Sequence, residues 1–424
     1  MSDGSDTSVT AADPSLKVLM IAPYFPFPPT AGAEMRTYQL LRQVASRHDV
    51  TLLSNAEAED TPGIEALSAE LPVRAIMRDE PPVRAKRLAQ LRTLSSAMPF
   101  ACRLLHSDQM QDALDELCAA EKFDLIHIES STMACFRLPA DIPVVVAEHN
   151  IEYELFRRLY ESEPSFVHRQ FYGWEYLRFR RFEQRSWRAS QGCVLTSDRE
   201  QPIVRAAAPD VATEVVPNGV DLDYFAPSQA PVEQRTVVFN GTLNYRPNLD
   251  GTTYLVNEIW PLVQARCPDA TLSLVGNAPP EVMSMARPGI EVTGRVPDIR
   301  PYLQRATVVV APLRIGAGTR LKIVEGMALG KAMVSTSIGC EGIDVSNEDQ
   351  LLIGDDAPTF AEQIVRLFND DELRARLGRS ARVRAEEAYS WDRVGERLEV
   401  LYQTVLSHPG RRATTARDST VTVR

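Results

Sequence analysis

Residues Val308–Glu341 read VVVAPLRIGAGTRLKIVEGMALGKAMVSTSIGCE. The unbroken apolar run Val308 to Ala311 is that of a strand buried on both faces, Pro312 and Leu313 lead out of it, and Gly316-Ala317-Gly318-Thr319 is a glycine loop. A helix from about Arg320 and a second strand over Ala332–Ser335 complete a β-loop-α-β unit. Glycines let backbone approach a ligand closely, and the first turn of the helix offers unpaired N–H groups and the positive end of a dipole. Arg320 and Lys322 add two full charges there. The stretch therefore predicts a phosphate site at the carboxyl edge of a parallel sheet.

The helix is apolar nearly all round (Leu321, Ile323, Val324, Met327, Ala328, Leu329), as for a helix covered on both sides. Glu325 lies in its middle. A carboxylate so placed costs several kcal/mol unless it is paired or meets the hydroxyls of a ligand. An ordinary ion pair with Lys322, three residues earlier, is the alternative.

These residues resemble the donor-binding segment of the retaining, nucleotide-sugar-dependent glycosyltransferases of the GT-B fold, the group 1 or family-four class. The resemblance implies two Rossmann-like α/β domains with parallel sheets facing across a cleft, and a C-terminal helix that crosses back to the N-terminal domain. It assigns Glu325 to the ribose of the nucleotide and Arg320 and Lys322 to its diphosphate. Two positions depart from the family: Ala317 stands where a second glutamate is usual, eight residues before Glu325, and Thr242 stands where many relatives carry an arginine. With that arginine missing, the phosphate charges fall to Arg320 and Lys322, with Arg246 as a further candidate, and the sugar is left to the backbone of Gly316, Ala317, Gly318 and Thr319.

The whole chain has 424 residues, enough for two cored domains, and its 44% hydrophobic and 24% charged content is that of a globular enzyme. A net charge of -11 argues against nucleic acid as partner. The six cysteines are scattered, which suggests neither disulfides nor zinc. Residues 1–15 and 408–424 are polar and predict unstructured tails, and no apolar run is long enough to span a membrane. The expected location is cytoplasmic, at or near the inner face of the membrane.

In order, residues 16–225 read as the acceptor domain. A strand at Lys17–Ala22, a proline-rich exit and a helix from about Ala33 to Arg47 form a βαβ unit with a strand at 48–54. Gly32 at the helix start is a candidate for an acceptor or phosphate. The stretch 83–105 mixes Arg84, Lys86, Arg87, Arg92 and Arg103 with leucines, a candidate membrane-surface stripe or an ordinary packed helix. Further strands are expected at 123–129, 142–148 and 192–197, with Asp198 capping the next helix. His149 directly follows a buried strand, and the resemblance places it near the reacting sugar carbon; Glu129 is a candidate for acceptor contact. Arginines and aromatics from Arg157 to Arg188 predict one long structural helix.

The motif PNGVD at Pro217–Asp221 also resembles the family and marks the start of its second domain, here 226–390, which repeats the rhythm with a strand at 236–240, the loop holding Gly241 and Thr242, and a helix to about Arg266. The resemblance gives Val296 a backbone contact to the nucleotide base. Helices over 357–368, 371–389 and 391–407 follow, the last one capped by Ser390.

The sequence reading is thus a retaining hexosyltransferase of the polysaccharide-building kind, using a UDP-, GDP-, ADP- or dTDP-sugar donor and a sugar or lipid-linked acceptor, with no metal and no cofactor. Two alternatives remain at this stage. An epimerase or phosphorylase would share the fold. A nicotinamide-dependent oxidoreductase would use Gly316–Leu321 as a dinucleotide loop, but its third glycine is replaced by Leu321.

Overall fold

The computed structural model describes residues 15–29, 32–78, 97–228, 231–316 and 320–407. Ala317, Gly318 and Thr319, both tails and the greater part of the 83–105 stripe therefore lie outside the described residues.

The first half builds a seven-stranded sheet of order β3-β2-β1-β4-β5-β6-β7: β1 Lys17–Ala22, β2 Asp49–Ala56, β3 Val73–Met77, β4 Leu125–Ile128, β5 Val144–Ala147, β6 Gly192–Leu195 and β7 Ala212–Val215. The second half builds a six-stranded sheet of order β10-β9-β8-β11-β12-β13: β8 Thr236–Asn240, β9 Thr271–Val275, β10 Ile290–Gly294, β11 Val308–Ala311, β12 Met333–Ser335 and β13 Leu352–Ile353. Every pairing is parallel. The central strands are mostly apolar and buried, as in Val18–Ala22 and Val237–Phe239, because helices cover both faces.

In each sheet the chain starts in the interior, runs to one edge, then returns to the other side. The order reverses between β1 and β4 in the first sheet and between β8 and β11 in the second. Loops leaving the carboxyl ends of such strand pairs splay apart and leave a crevice. The residues singled out in the sequence follow these strands: Gly32 after β1, Glu129 after β4, Gly241 after β8 and Gly316 after β11.

The helices over residues 32–207 are α1 Gly32–Ala45, α2 Thr61–Ser68, α3 Phe100–Leu105, α4 Asp108–Ala120, α5 Glu152–Ser162, α6 Phe166–Ala189 and α7 Gln201–Ala207. The second half adds α8 Arg246–Tyr254, α9 Trp260–Arg266, α10 Pro280–Met283, α11 Arg300–Arg305, α12 Leu321–Ala328, α13 Ala357–Asn369, α14 Asp371–Ala388 and α15 Trp391–Ser407. α15 does cross back: its Val394, Leu398, Leu401, Tyr402 and Val405 enter the core of Val18, Met20, Leu125, Val145 and Val194 in the first sheet. Between the halves the PNGVD turn is held by the buried guanidinium of Arg36, which donates to the carbonyls of Val216 (2.7 Å) and Pro217 (2.9 Å) and to Asn218 Oδ1 (3.1 Å).

Three local expectations need correction. The helix predicted across 157–188 is two helices, because Pro164 lacks a backbone donor and ends α5 before α6 starts. Asp198 does not cap α7; Glu200 occupies the N-cap position and its carboxylate accepts from the amides of Thr196 and Ser197. The helix to Arg266 contains a π-turn at Leu255–Ile259, just ahead of Pro261, whose ring cannot accept a regular α turn without a clash.

Candidate active site

One side of the site is built where β8 and β11 diverge. α12 starts at the N-cap Arg320, with Ile323, Val324, Met327 and Ala328 buried among Val238, Val309, Ala381 and Ala385. That packing fixes the rotation of the helix and turns Lys322 and Glu325 toward the end of β8. Lys322 Nζ donates to Asn248 Oδ1 (2.9 Å) and lies 4.1 Å from the centroid of the Phe239 ring. Glu325 accepts a long 3.4 Å bond from Asn240 Nδ2. Burial pulls the Lys322 ammonium down to about 7, although the Glu325 charge opposes this. Burial likewise pushes the Glu325 carboxyl up to about 7 against the pull of Asn240 and Lys322. The pair is thus poised near neutrality, with each charge waiting for a stronger counterpart.

Asn240 and Asn248 were missed in the sequence. Asn248 reaches from α8 to the carbonyl of Thr242 (2.9 Å) with one end of its amide and to Lys322 with the other, so it links the β8 loop to the cation. Asn240 is buried, and its Oδ1 has no hydrogen-bond partner among the described residues. An orphan acceptor in this position fits a donor from a bound ligand. The only hint in the sequence was an amide at the carboxyl end of a buried strand.

Gly241 must be a glycine: its φ is +144°, and a Cβ would stand 3.0 Å from Lys322 Nζ. Gly316 has φ +133°, and a Cβ there would meet the Arg320 guanidinium at 2.5 Å. Burial lowers the Arg320 pKa, so this cation is already partly stripped of water beside Gly316. Thr242 is exposed on the loop after β8. Arg246, the further phosphate candidate, is engaged elsewhere: it pairs at 3.3 Å with Glu163 of the first half. Val296 lies beyond β10, packed against the same cluster that holds α12.

The facing side comes from the ends of β1, β4 and β5. Gly32 abuts α12, since a Cβ there would be 3.2 Å from Leu321 Cδ1. His149 is mostly covered, and its Nε2 lies 2.6 Å from Glu129 Oε2. Glu129, expected to contact an acceptor, is fully buried instead, with its other oxygen 3.4 Å from His127 Nε2. Burial alone would raise its pKa, but the two histidines hold this carboxyl well below the usual range. His127 in turn meets Tyr402 of α15 through Nδ1 at 2.6 Å. A line of polar groups therefore runs from α15 to His149, and the ionised Glu129 accepts a hydrogen bond from the Nε2–H of His149 and leaves Nδ1 for a ligand.

Beside it, Glu148 accepts from Trp187 Nε1 (2.6 Å) and Ser131 Oγ (2.8 Å), and burial pushes it up to about 8. Glu183 accepts from the amides of Glu152 (2.8 Å) and Tyr153 (3.0 Å) at the start of α5, which fixes the turn that carries His149. Across the cleft Arg158 of α5 makes two 2.9 Å bonds to Glu341 and donates to the Gly316 carbonyl. Arg158 was hidden in the sequence among a run of arginines.

The fold matches the solved sucrose-phosphate synthase of Thermosynechococcus elongatus with a TM-score of 0.68 at 18% identity, over 92% of this chain and 99% of that one. The Anabaena HepE protein, solved in complex with UDP, superposes with a TM-score of 0.63 at 15% identity over 92% and 100% of the two chains. Two family models cover most of the sequence: Glycosyltransferase Family 4 matches residues 30–224 and Glycosyl transferases group 1 matches residues 234–370. The chain is a GT-B glycosyltransferase. Among curated proteins it is 22% identical over 370 residues to an uncharacterized 44.6 kDa protein of the cps region of Klebsiella pneumoniae, over 82% of this chain and 90% of that one. It is 25% identical over 213 residues to a GDP-mannose-dependent phosphatidylinositol monomannoside mannosyltransferase of Corynebacterium glutamicum, over 45% of this chain and 56% of that one. The nicotinamide reading falls with this assignment.

Proposed function

We propose that this glycosyltransferase carries a sugar from a nucleoside-diphosphate donor, bound on the second half, to an acceptor held on the first, with retention at the anomeric carbon. The observation that carries the reading is the convergence of Lys322, Glu325 and the orphan Oδ1 of Asn240 at the point where the second sheet reverses its strand order. Glu325 takes the ribose hydroxyls. Lys322, Arg320 and the first amides of α12 take the diphosphate.

On the donor's departure, negative charge grows on the bridging oxygen and the β-phosphate. Lys322 and Arg320, already desolvated, meet that charge without reorganising water, and the reaction needs no resident metal in this scheme. His149, with Nε2 occupied by Glu129, presents Nδ1 to the sugar opposite. The acceptor hydroxyl then attacks from the face the diphosphate leaves, its proton passes to the departing phosphate oxygen, and configuration is kept. Gly32 lets the start of α1 come close to Leu321, which sets the first half against the donor helix beside the acceptor or phosphate. Relatives named for phosphatidylinositol-linked substrates support a lipid-linked acceptor and peripheral attachment to a membrane.

The test is a panel of UDP-, GDP-, ADP- and dTDP-sugars scored by the rise in melting temperature, followed by turnover of the stabilising donor with and without added acceptor. One donor should protect the protein, and its nucleotide should be released faster when an acceptor is present. Protection by none, or release independent of any acceptor, overturns the reading.

A further inference from the structure

α6 carries the feature that the transfer chemistry leaves unexplained. From Phe166 to Ala189 the only acids are Glu175 and Glu183, and both are fully buried. The exposed positions instead hold Arg169, Arg180, Arg181 and Arg185, and none of these is paired with an acid among the described residues. The same face exposes Phe166 (67%), Val167 (73%), Trp174 (54%) and Leu177. At 3.6 residues per turn, Phe166, Leu177, Arg181, Trp174 and Arg185 fall within an arc of about 100°. The half-exposed Tyr160 of α5 extends the apolar part, since its ring lies against Gly173.

We infer that this face of α6 seats the enzyme on an anionic lipid bilayer. The chain as a whole carries a net charge of -11, so an anionic surface repels most of it, and a helix with exposed arginines and no exposed acid of its own is the place where contact is favourable. Screening confines this attraction to about 8–10 Å, so the patch must lie against the headgroups. Aromatic and apolar side chains beside arginines suit the boundary between headgroups and acyl chains, where the rings bury their hydrocarbon and the guanidiniums meet phosphate. A soluble acidic partner would use the arginines but leave Phe166, Val167 and Trp174 in water. The position of the face fits the use: Glu163, three residues before Phe166, pairs with Arg246 across the cleft. The apolar end thus stands at the cleft rim, where a lipid-borne acceptor would pass its sugar inward. This inference rests on the assignment of the first half to the acceptor.

The experiment uses the full chain with vesicles of phosphatidylcholine alone and of phosphatidylcholine mixed with phosphatidylglycerol. Co-sedimentation gives the partition coefficient. Of the four tryptophans, Trp187, Trp260 and Trp391 are buried and Trp174 is exposed, so a blue shift in emission reads this face. Wild-type protein should bind the mixed vesicles with a blue shift and bind phosphatidylcholine weakly. The R180Q/R181Q/R185Q variant should lose roughly a hundredfold in partition, about fivefold per charge, and F166S/L177S should lose the shift.

Equal binding to both vesicle types, or a triple variant that partitions like wild type, overturns the inference. So does a concentration-dependent blue shift without vesicles, which would give the face to a second copy of the chain. Thermal protection by nucleotide sugars, measured on the same variants, separates this from the donor reading: protected protein that ignores vesicles refutes the membrane face alone, and vesicle-bound protein protected by no donor refutes the donor site alone.

Discussion

Replacing Glu325 with glutamine tests the donor site in a way that folding alone cannot mimic. The side chain keeps its shape and loses its charge. Within the protein the carboxylate accepts one bond from Asn240 at 3.4 Å, a length at which the interaction is weak, and the charge of Lys322 offsets only part of its burial. Burial raises its pKa from 4.5 to about 7, so holding it ionised costs about 3 kcal/mol at alkaline pH, at about 1.4 kcal/mol per unit. Glutamine avoids that cost, and E325Q should melt at the wild-type temperature or a few degrees above it. Binding should move the other way. Two charge-assisted bonds to vicinal ribose hydroxyls become neutral ones, a loss of about 1–3 kcal/mol or roughly 5- to 150-fold in Kd. Calorimetric titration with the protecting nucleotide sugar, alongside thermal unfolding, gives both numbers. An unchanged Kd refutes the ribose role. A large fall in melting temperature with a matching loss of binding would mean that the acid serves the fold.

The same pair makes donor affinity depend on pH. Binding needs Glu325 ionised and Lys322 protonated, and both titrate at about 7; below that pH Glu325 takes up a proton, above it Lys322 gives one up, and Kd should be lowest near neutrality and rise toward tenfold per unit on each side. In E325Q the acid limb should vanish and the alkaline limb remain, which titration calorimetry across the pH range checks. Lys322→Ala should lower turnover far more than stability, because a buried cation is itself costly; normal turnover removes it from the diphosphate site. His149→Ala should spare nucleotide binding and slow transfer. Glu129→Gln should do the same, by roughly ten- to a hundredfold, through loss of the group that orients the imidazole; weakened nucleotide binding in either variant would contradict the assignment.

The architecture was legible because its signals are local. Apolar runs such as Val308–Ala311 and Lys17–Ala22 form central strands, and Ser390 ahead of Trp391 starts the last helix: the Arg393 amide donates to Ser390 Oγ at 3.2 Å. Weaker elements were not seen. β3 and β7 are short edge strands, and β7 is only partly buried, so neither presents the apolar run of a central strand. The site was half legible for the same reason. Lys322 and Glu325 share one helix face, so spacing alone brings them together. Asn248 and Arg158 reach their partners 74 and 183 positions away, and no local pattern encodes such a meeting.

Glu129 shows where position along a strand stops predicting direction. It follows β4 at the ligand edge, which made it a candidate for acceptor contact, yet it turns inward between two imidazoles. The reason lies far off in sequence: α15 crosses back and sets Tyr402 against His127, which closes the space beneath β4 and gives His127 a partner on its other nitrogen. A carboxylate facing two imidazoles gains more from them than from the open cleft, because both contacts favour its charged form and offset its burial. The helix that joins the two halves thereby also settles which nitrogen His149 can offer. Tyr402→Phe should consequently disturb transfer, through His127 and Glu129, while leaving nucleotide affinity as it was, although residue 402 belongs to a helix that touches no donor. A Tyr402→Phe enzyme with an unaltered rate and pH profile would show that the line of contacts serves packing alone.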